Sequence, residues 1–503
     1  MTNTLFDALV PPHQHNQSPL FHLKDRPQWS YQDLLQTAGR YAALLDSVGA
    51  KPGDRVAVQV QKSPEAIALY IGCIQQGCVF LPLNTTYTST EVEYFITDAK
   101  PVLFVCDESA RAALSAITDA NQCQLLTLNS DGSGSFAAGA QKQDVALSAQ
   151  PRNEDDLAAI LYTSGTTGRS KGAMLTHRNL LSNAVTLREY WQFTHDDVLL
   201  HGLPIYHTHG LFVATNTLLL AGGSFIFLLS FNADDFIEQL PHSTTMMGVP
   251  TFYTRLLADK RLTKDLVSHM RLFVSGSAPL LAETHIEFHA RTGQMILERY
   301  GMTETNMNTS NPYTGERRAG TIGWELPGVE ARVVDPETRK EKSVDEIGML
   351  EVRGDNVFKG YWQMPDKTAQ DFTDDGFFIT GDLAKRDVDG YLQIVGRDKD
   401  LIISGGFNVY PKEIELILDE QPGVLESAVV AAPHTDFGEG VVAILVTQPG
   451  NSIDLDTVKA AATEKLAKFK QPKEYVIAES LPRNSMGKVQ KNVLREQVKD
   501  TFI

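Results

Sequence analysis

One short string, Thr163-Ser164-Gly165-Thr166-Thr167-Gly168-Arg169-Ser170-Lys171-Gly172, gathers what an anion needs. It holds three glycines, five hydroxyls and one lysine, and no large apolar side chain. Glycine lets backbone N–H groups converge on a ligand and lysine adds a point charge, so the string suits phosphate. It is not a P-loop of the G-x-x-x-x-G-K-[ST] kind, because Arg169-Ser170 separate the second glycine from Lys171. Tyr300-Gly301-Met302-Thr303-Glu304 adds a ring able to stack on a flat base and a carboxylate able to hold Mg²⁺ beside phosphates. Asp382, in Thr380-Gly381-Asp382-Leu383, offers a carboxylate to ribose hydroxyls. Arg397, in Gly396-Arg397, offers a guanidinium to ribose or phosphate, and Lys488 ends a short basic loop from Pro482. Arg299 directly precedes Tyr300. Its guanidinium either pairs with a structural acid or presents its fork to a carboxylate on a ligand.

These groups need a scaffold, and the hydrophobic pattern supplies one. The apolar run Leu157 to Leu161 reads as a buried strand feeding the glycine-rich string. Thr176 then caps a helix through Leu180, Leu181, Ala184 and Leu187. Upstream, helices over 31–48 and 64–76 and about 90–98 alternate with strands over 55–60, 79–83 and 102–106, which predicts parallel sheets covered by helices. The polar stretch 129–151 reads as surface loop. A second alternating block runs from Asp197 to about Gly276, with strands at 198–201 and 244–248 and a loop from Pro204 to Gly210. Within it, Leu211 to Phe231 reads as a buried helix, a Gly222-Gly223 turn and a strand from Ser224, not as a membrane span. Strand alternation places Arg299 opposite Tyr300, with Glu298 back on the tyrosine face. Short β-rich runs at 331–334, 349–353, 377–380 and 391–395 predict a small barrel-like sheet. Beyond them the pattern is αβ again: helix 411–418, strands 428–432 and 441–446, helix 458–469. At 503 residues the chain exceeds what one core holds, roughly 250–300 residues. The fold class is therefore α/β: a large domain over 1–397 of stacked α/β sheets plus the barrel-like piece, and a small mobile α+β domain over 398–503.

The string at 163–172 resembles the signature loop of the adenylate-forming superfamily, which includes acyl-CoA synthetases, luciferases and peptide-synthetase adenylation domains. The later motifs extend the resemblance over the whole chain. It implies that Thr163, Ser164, Gly165, Thr166, Thr167, Gly168 and Lys171 hold the ATP phosphates. Ser277 and Ala278 would contact adenine and ribose; Glu298, Tyr300, Gly301, Met302 and Thr303 would line the nucleotide, and Glu304 would help bind Mg²⁺. Asp382 and Arg397 would bind the nucleotide, Lys399 would be the hinge, and Gly405 and Gly406 would line the path of the CoA arm. Lys488 corresponds to the catalytic lysine that offsets charge during adenylation. Because acylation of Lys488 would remove that charge, a lysine acetyltransferase and deacetylase acting on it are expected as regulators.

Two departures narrow the acid. Many aryl and fatty acyl relatives carry a small or neutral residue where this chain has Arg299. In the loop Leu203 to Gly210, amino-acid-activating relatives carry an Asp for an ammonium, whereas His207 here suits an anion. Arg299, His207 and Ser277 are accordingly the expected contacts to a second substrate carboxylate. Thr208 and Met307 would wall the acyl pocket, and Arg255 would touch phosphate or CoA. The run Glu298 to Asn308 is similar to that of malonyl-CoA synthetases, so malonate is the expected acid. A ligase for methylmalonate or another short or aryl acid, and a stand-alone carrier-loading module, are the alternatives.

The bulk numbers agree. A net charge of −17 argues against nucleic acid or an anionic membrane as partner, and leaves small molecules (malonate, ATP, CoA) as the expected ones. Four cysteines at no metal-ligand spacing suggest buried free thiols in a reducing, cytoplasmic setting.

Overall fold

The computed structural model describes residues 2–163, 170–405, 407–484 and 487–502. By contacts the chain forms two compact units, one of residues 1–330 and 352–378, the other of residues 331–351 and 379–503.

The first unit is built on two sheets. A six-stranded sheet carries, in spatial order, Gln124–Thr127, Leu103–Cys106, Arg55–Gln59, Val79–Pro82, Leu157–Thr163 and Lys171–Thr176. Its neighbours run parallel except the last pair, in which Thr163 faces Lys171 across an antiparallel hairpin. The helix Pro64–Gln76 is buried along its whole length, with Ser63 accepting the Ala66 N–H as cap and Gly77 closing it in the left-handed region. Thr176 caps the helix His177–Tyr190 with a full capping box through Asn179, as its sequence implies.

A nine-stranded sheet forms the second layer. Its central strands, Val198–His201, Thr245–Gly248, Leu272–Ser275 and Ile296–Met302, run parallel and in register, so His201, Met247, Ser275 and Glu298 fall near one edge. Ligands of open α/β sheets bind at the carboxyl ends of such strands. The strand Asn306–Ser310 then returns antiparallel, pairing Arg299 with Ser310 and Gly301 with Met307. The uncharged stretch after His209 is a π-helix, His209–Asn216, continued by Thr217–Ala221, a Gly222 turn and the strand Ser224–Phe227. Among the described residues no helix is long and apolar enough to cross a membrane.

One stretch departs from its sequence reading. Within 129–151, expected to be surface loop, Ser135–Ala140 is a helix that buries Phe136, Ala137 and Ala140, and Phe136 packs edge-on against Tyr41. Its six residues are too few for a periodic signal, and tertiary packing stabilises it.

The second unit holds most of a four-stranded sheet, Val329–Val334, Gly348–Gly354, Phe378–Arg386 and Leu392–Arg397. Beyond it, the long hairpin Val424–His434 and Gly438–Thr447 is flanked by Ile402–Ser404, Phe407–Val409 and Glu474–Ala478. The amphipathic helix Pro411–Asp419 lays Ile414 and Leu418 on this sheet, in a core with Val429, Val441 and Val458. All four cysteines are buried free thiols.

The same helix carries one buried acid, Glu415, and one half-buried acid, Asp419. Glu415 is ion-paired to Lys491 at 2.5 Å. Asp419 accepts the Ser427 hydroxyl at 2.6 Å, yet burial pushes its carboxyl up to about 6, against the pull of Lys412 and Ser427. An acid whose folded pKa is raised destabilises the fold wherever it is ionised. The cost is full above pH 6 and vanishes as pH falls through the unfolded value. Asp419→Asn should therefore raise unfolding stability by roughly 1–3 kcal/mol near neutral pH, with the gain shrinking as pH drops from about 7 to about 4. Denaturant melts across that range check it.

Candidate active site

Arg299 sits in the strand Ile296–Met302 and is only 3% exposed. Its Nε and Nη2 are buried without a hydrogen-bond partner among the described residues. Burial pushes the guanidinium down to about 9, while the Tyr253 hydroxyl and the Glu298 carboxylate hold it up. It thus stays a cation at neutral pH in a place that disfavours one. Gly276 makes room for it: a Cβ there would lie 2.4 Å from the guanidinium carbon.

Around this cation the strand ends and loops converge. Ser277 adopts a left-handed backbone, φ 71°, an uncommon conformation for a non-glycine residue. Its hydroxyl lies 3.2 Å from His209 Nδ1. His209 Nε2 is buried without a hydrogen-bond partner among the described residues, and burial, followed by the Arg299 charge, holds the ring well below the usual histidine range. The neutral imidazole can accept the Ser277 hydroxyl at Nδ1 and keep an N–H at Nε2 for a ligand. Glu298 Oε1 accepts the Leu280 N–H at 3.2 Å, bracing the loop that carries Ser277 and Ala278. Thr208 donates to Asn306 Oδ1 at 2.6 Å. Met307 is buried, and its Cε would meet a Cβ on Gly301 at 2.5 Å. Asn306 O would meet the same Cβ at 1.8 Å, so only glycine fits at 301.

A second cluster in the first unit surrounds Lys171. Its ammonium lies 4.2 Å from the Tyr361 ring centre, and the Tyr361 hydroxyl donates to Glu304 Oε1 at 3.2 Å. Burial lowers the Lys171 pKa, opposed by Asp371 and Glu304. The Phe358 N–H donates to Glu304 O at 2.7 Å, so this buried acid is held at backbone and side chain. Among the described residues no group of three or more metal-ligating side chains occurs. Glu304, a buried carboxylate joined to the Lys171 cluster through Tyr361, is of the type that holds a hard cation together with phosphate and water oxygens. Ser164, Gly165, Thr166, Thr167 and Gly168, and also Gly406, lie outside the described residues. Arg255 is exposed on the helix Pro250–Ala258, its guanidinium 5.9 Å from the Phe231 ring centre.

The second unit has its own candidates. Asp382 and Arg397 face each other across adjacent strands, Arg397 Nε to Asp382 Oδ1 at 2.6 Å, and Arg397 also donates to Thr380 O. Lys399 lies in the turn Asp398–Asp400, its pKa lowered by burial and partly restored by Asp400. Gly405 takes a left-handed φ of 59° and donates its N–H to Phe437 O. The Lys488 loop is pinned by its backbone: Lys488 N donates to Asn484 Oδ1 and Asn484 N to Lys488 O, at 3.0 and 2.9 Å.

The structure thus brings Arg299, Ser277 and the 203–210 loop into one neighbourhood, with His209 as the histidine on Ser277. His207, the histidine expected on the acid, lies in the same loop with its Nε2 buried, and the sequence reading did not single out His209 or Tyr361. The His-Thr-His spacing made either histidine eligible, and nothing local distinguished them.

A family model for AMP-binding enzymes matches residues 12–362, and one for the AMP-binding enzyme C-terminal domain matches residues 413–488. The chain belongs to the AMP-binding enzyme family. As such it is an AMP-forming acid–thiol ligase of the adenylate-forming superfamily. A malonate–CoA ligase of Arabidopsis thaliana is 34% identical to this AMP-binding enzyme, over 93% of this chain and 82% of that protein. A long-chain-fatty-acid–CoA ligase of Bacillus subtilis is 31% identical, over 93% and 90%. The crystal structure of ATP-bound MatB from Rhodopseudomonas palustris superposes with a TM-score of 0.98 at 56% identity, covering 100% of both chains.

The contact between Gly276 and Arg299 makes a direct forecast for this AMP-binding enzyme. Gly276→Ala should displace the guanidinium and lower kcat/KM for the preferred acid by roughly 10²-fold, about 3 kcal/mol of misplacement. The far-ultraviolet circular dichroism should be unchanged. Pyrophosphate-release kinetics beside that spectrum measure both.

Proposed function

We propose that this enzyme is an ATP- and Mg²⁺-dependent malonate–CoA ligase of the cytoplasm. One observation carries the reading: a buried guanidinium whose Nε and Nη2 have no hydrogen-bond partner among the described residues. A cation so placed favours a ligand that brings its own anion, and an acid with a second carboxylate does so while its first is activated. The likeness to MatB and to malonate–CoA ligases supports the same acid. Relatives at similar identity include a sulfoacetate–CoA ligase of Cupriavidus necator, another two-headed anion by name, so methylmalonate and similar acids are the second reading.

The chemistry follows in two halves. The near carboxylate of malonate attacks the α-phosphorus of ATP, the bond to diphosphate breaks, and malonyl-AMP forms. The CoA thiol loses its proton, the sulfur attacks the acyl carbon, and the C–O bond to AMP breaks to give malonyl-CoA. Arg299, Ser277 and His209 hold the far carboxylate, with Thr208 and Met307 beside the methylene. Tyr300 stacks on adenine, and Asp382 and Arg397 take the ribose. Lys171 and Lys488 offset anionic charge on the phosphates and the entering carboxylate. Mg²⁺, held by Glu304, would neutralise phosphate charge when bound. Lys399 is the pivot of the small domain, and Gly405 faces the pantetheine arm.

Arg299→Ala should lower kcat/KM for malonate by about 10²–10⁴-fold, the roughly 3–5 kcal/mol cost of leaving the far carboxylate buried and unpaired, and leave acetate turnover at its basal level. Pyrophosphate release with a panel of mono- and dicarboxylates is the assay. Equal wild-type turnover of acetate and malonate would falsify the reading. Acetylation of Lys488 should abolish the adenylation half while thioester formation from supplied malonyl-AMP survives; intact mass and both half-reaction rates test this.

A further inference from the structure

Lys62 is a buried lysine that the reaction above does not use. It follows the strand Arg55–Gln59 and is 5% exposed. Among the described residues no acid lies within ion-pair distance of it. Its Nζ instead lies 2.7 Å from His201 Nδ1 and 2.8 Å from His201 O, and 4.3 Å from the Phe227 ring centre. So the side chain reaches from the six-stranded sheet to the end of a strand in the nine-stranded sheet and spends its donors on one histidine.

That arrangement fixes the state of His201. Gly210 O, 2.9 Å from His201 Nε2, can only accept, so the proton sits on Nε2 and Nδ1 is left to accept an N–H from Lys62. The Thr215 hydroxyl donates to the same oxygen of Gly210 at 3.1 Å. In the other tautomer, Nε2 would turn a lone pair on the carbonyl. Gly210 is the second residue of the π-helix His209–Asn216, directly after His209 and two after Thr208. The chain is tight there, since a Cβ on Gly210 would lie 2.1 Å from Pro204 O. Wide helical turns of this kind recur at functional sites, where they aim a side chain.

We propose that Lys62 and His201 are positioning residues of the acyl pocket. Lys62 locks His201 as the Nε2–H tautomer, His201 pins the Gly210 carbonyl, and that pin sets His209 against Ser277 and Thr208 against Asn306. This rests on the reading of the 203–210 loop as the acid-binding wall, and on nothing in the nucleotide site. A histidine whose second nitrogen is fixed by a partner is a familiar way to hold a ring in one orientation.

The test is Lys62→Met, which keeps the stem and removes the donors. Its KM for malonate should rise at least tenfold, with KM for ATP within twofold and the melting temperature within a few degrees of wild type. In wild-type enzyme labelled with ¹⁵N-histidine, the His201 signals, assigned by their loss in His201→Gln, should report Nε2–H. In Lys62→Met they should move toward a tautomer mixture. An unchanged KM for malonate, an equal rise in both KM values, or Nδ1–H in the wild type overturns the proposal; the last is read on the wild type and does not depend on Lys62→Met folding. If wild-type enzyme prefers another acid, the malonate reading falls alone, and the same comparison of KM values is made with that acid.

Discussion

A guanidinium on a buried strand, with no hydrogen-bond partner among the described residues on two of its nitrogens, is the constraint on which the site depends. Desolvating an ion costs several kcal/mol even after relaxation. Among the described residues that cost is offset only in part: Glu298 and Tyr253 hold the guanidinium up, while Glu298 also bonds to the Leu280 backbone, Tyr253 donates to Val274 O, and His209 is neutral. Hundreds of other contacts must carry a side chain that weakens the fold. The surrounding residues accept the same bargain. Ser277 holds a left-handed backbone, and His209 keeps a ring nitrogen buried and unmatched. Sites that store cost in this way are stiff and already shaped, so a ligand does not have to reorganise them.

The scaffold shows why such a group can be held at all. Arg299 is fixed by strand pairing on both flanks, to Leu272–Ser275 through Glu298 and to Ser310 directly. Its neighbours are small where it needs volume, at Gly276, and where the next strand crosses closely, at Gly301. The phosphate side uses another device. Lys171 is at the root of a hairpin, and Tyr361 links it to Glu304, so cation, ring and carboxylate are set by one packed cluster. Both arrangements place charge on strands and leave the adaptable parts to loops.

Much of this was legible in the residues. The helix over 64–76 ends where its proline, serine and glycine say it should, and Thr176 caps as its type implies, because those signals are local. The position of Arg299 before Tyr300 was enough to mark it, since a charge amid a buried strand is rare. What the sequence hid is what tertiary contact decides. Lys171 reads as loop because glycine and serine precede it, yet it opens a strand paired to Thr163. Whether His207 or His209 meets Ser277 depends on where a π-helix begins, and that has no one-dimensional signature. Lys62 looks like any solvated lysine before a helix; only the approach of a second sheet buries it.

The relatives sharpen the point about where selectivity resides. Chains near one-third identity, named for acids as different as malonate and long-chain fatty acids, match more than nine-tenths of this one. A scaffold common to such substrates cannot itself choose among them. The choice must rest on few groups, and those groups must be costly to leave unsatisfied, because apolar contact alone discriminates by only about 1–3 kcal/mol. A buried cation meets that requirement where another methylene in the pocket would not. By this argument, the feature that most weakens the fold is also the one best able to reject a monocarboxylate of the same size.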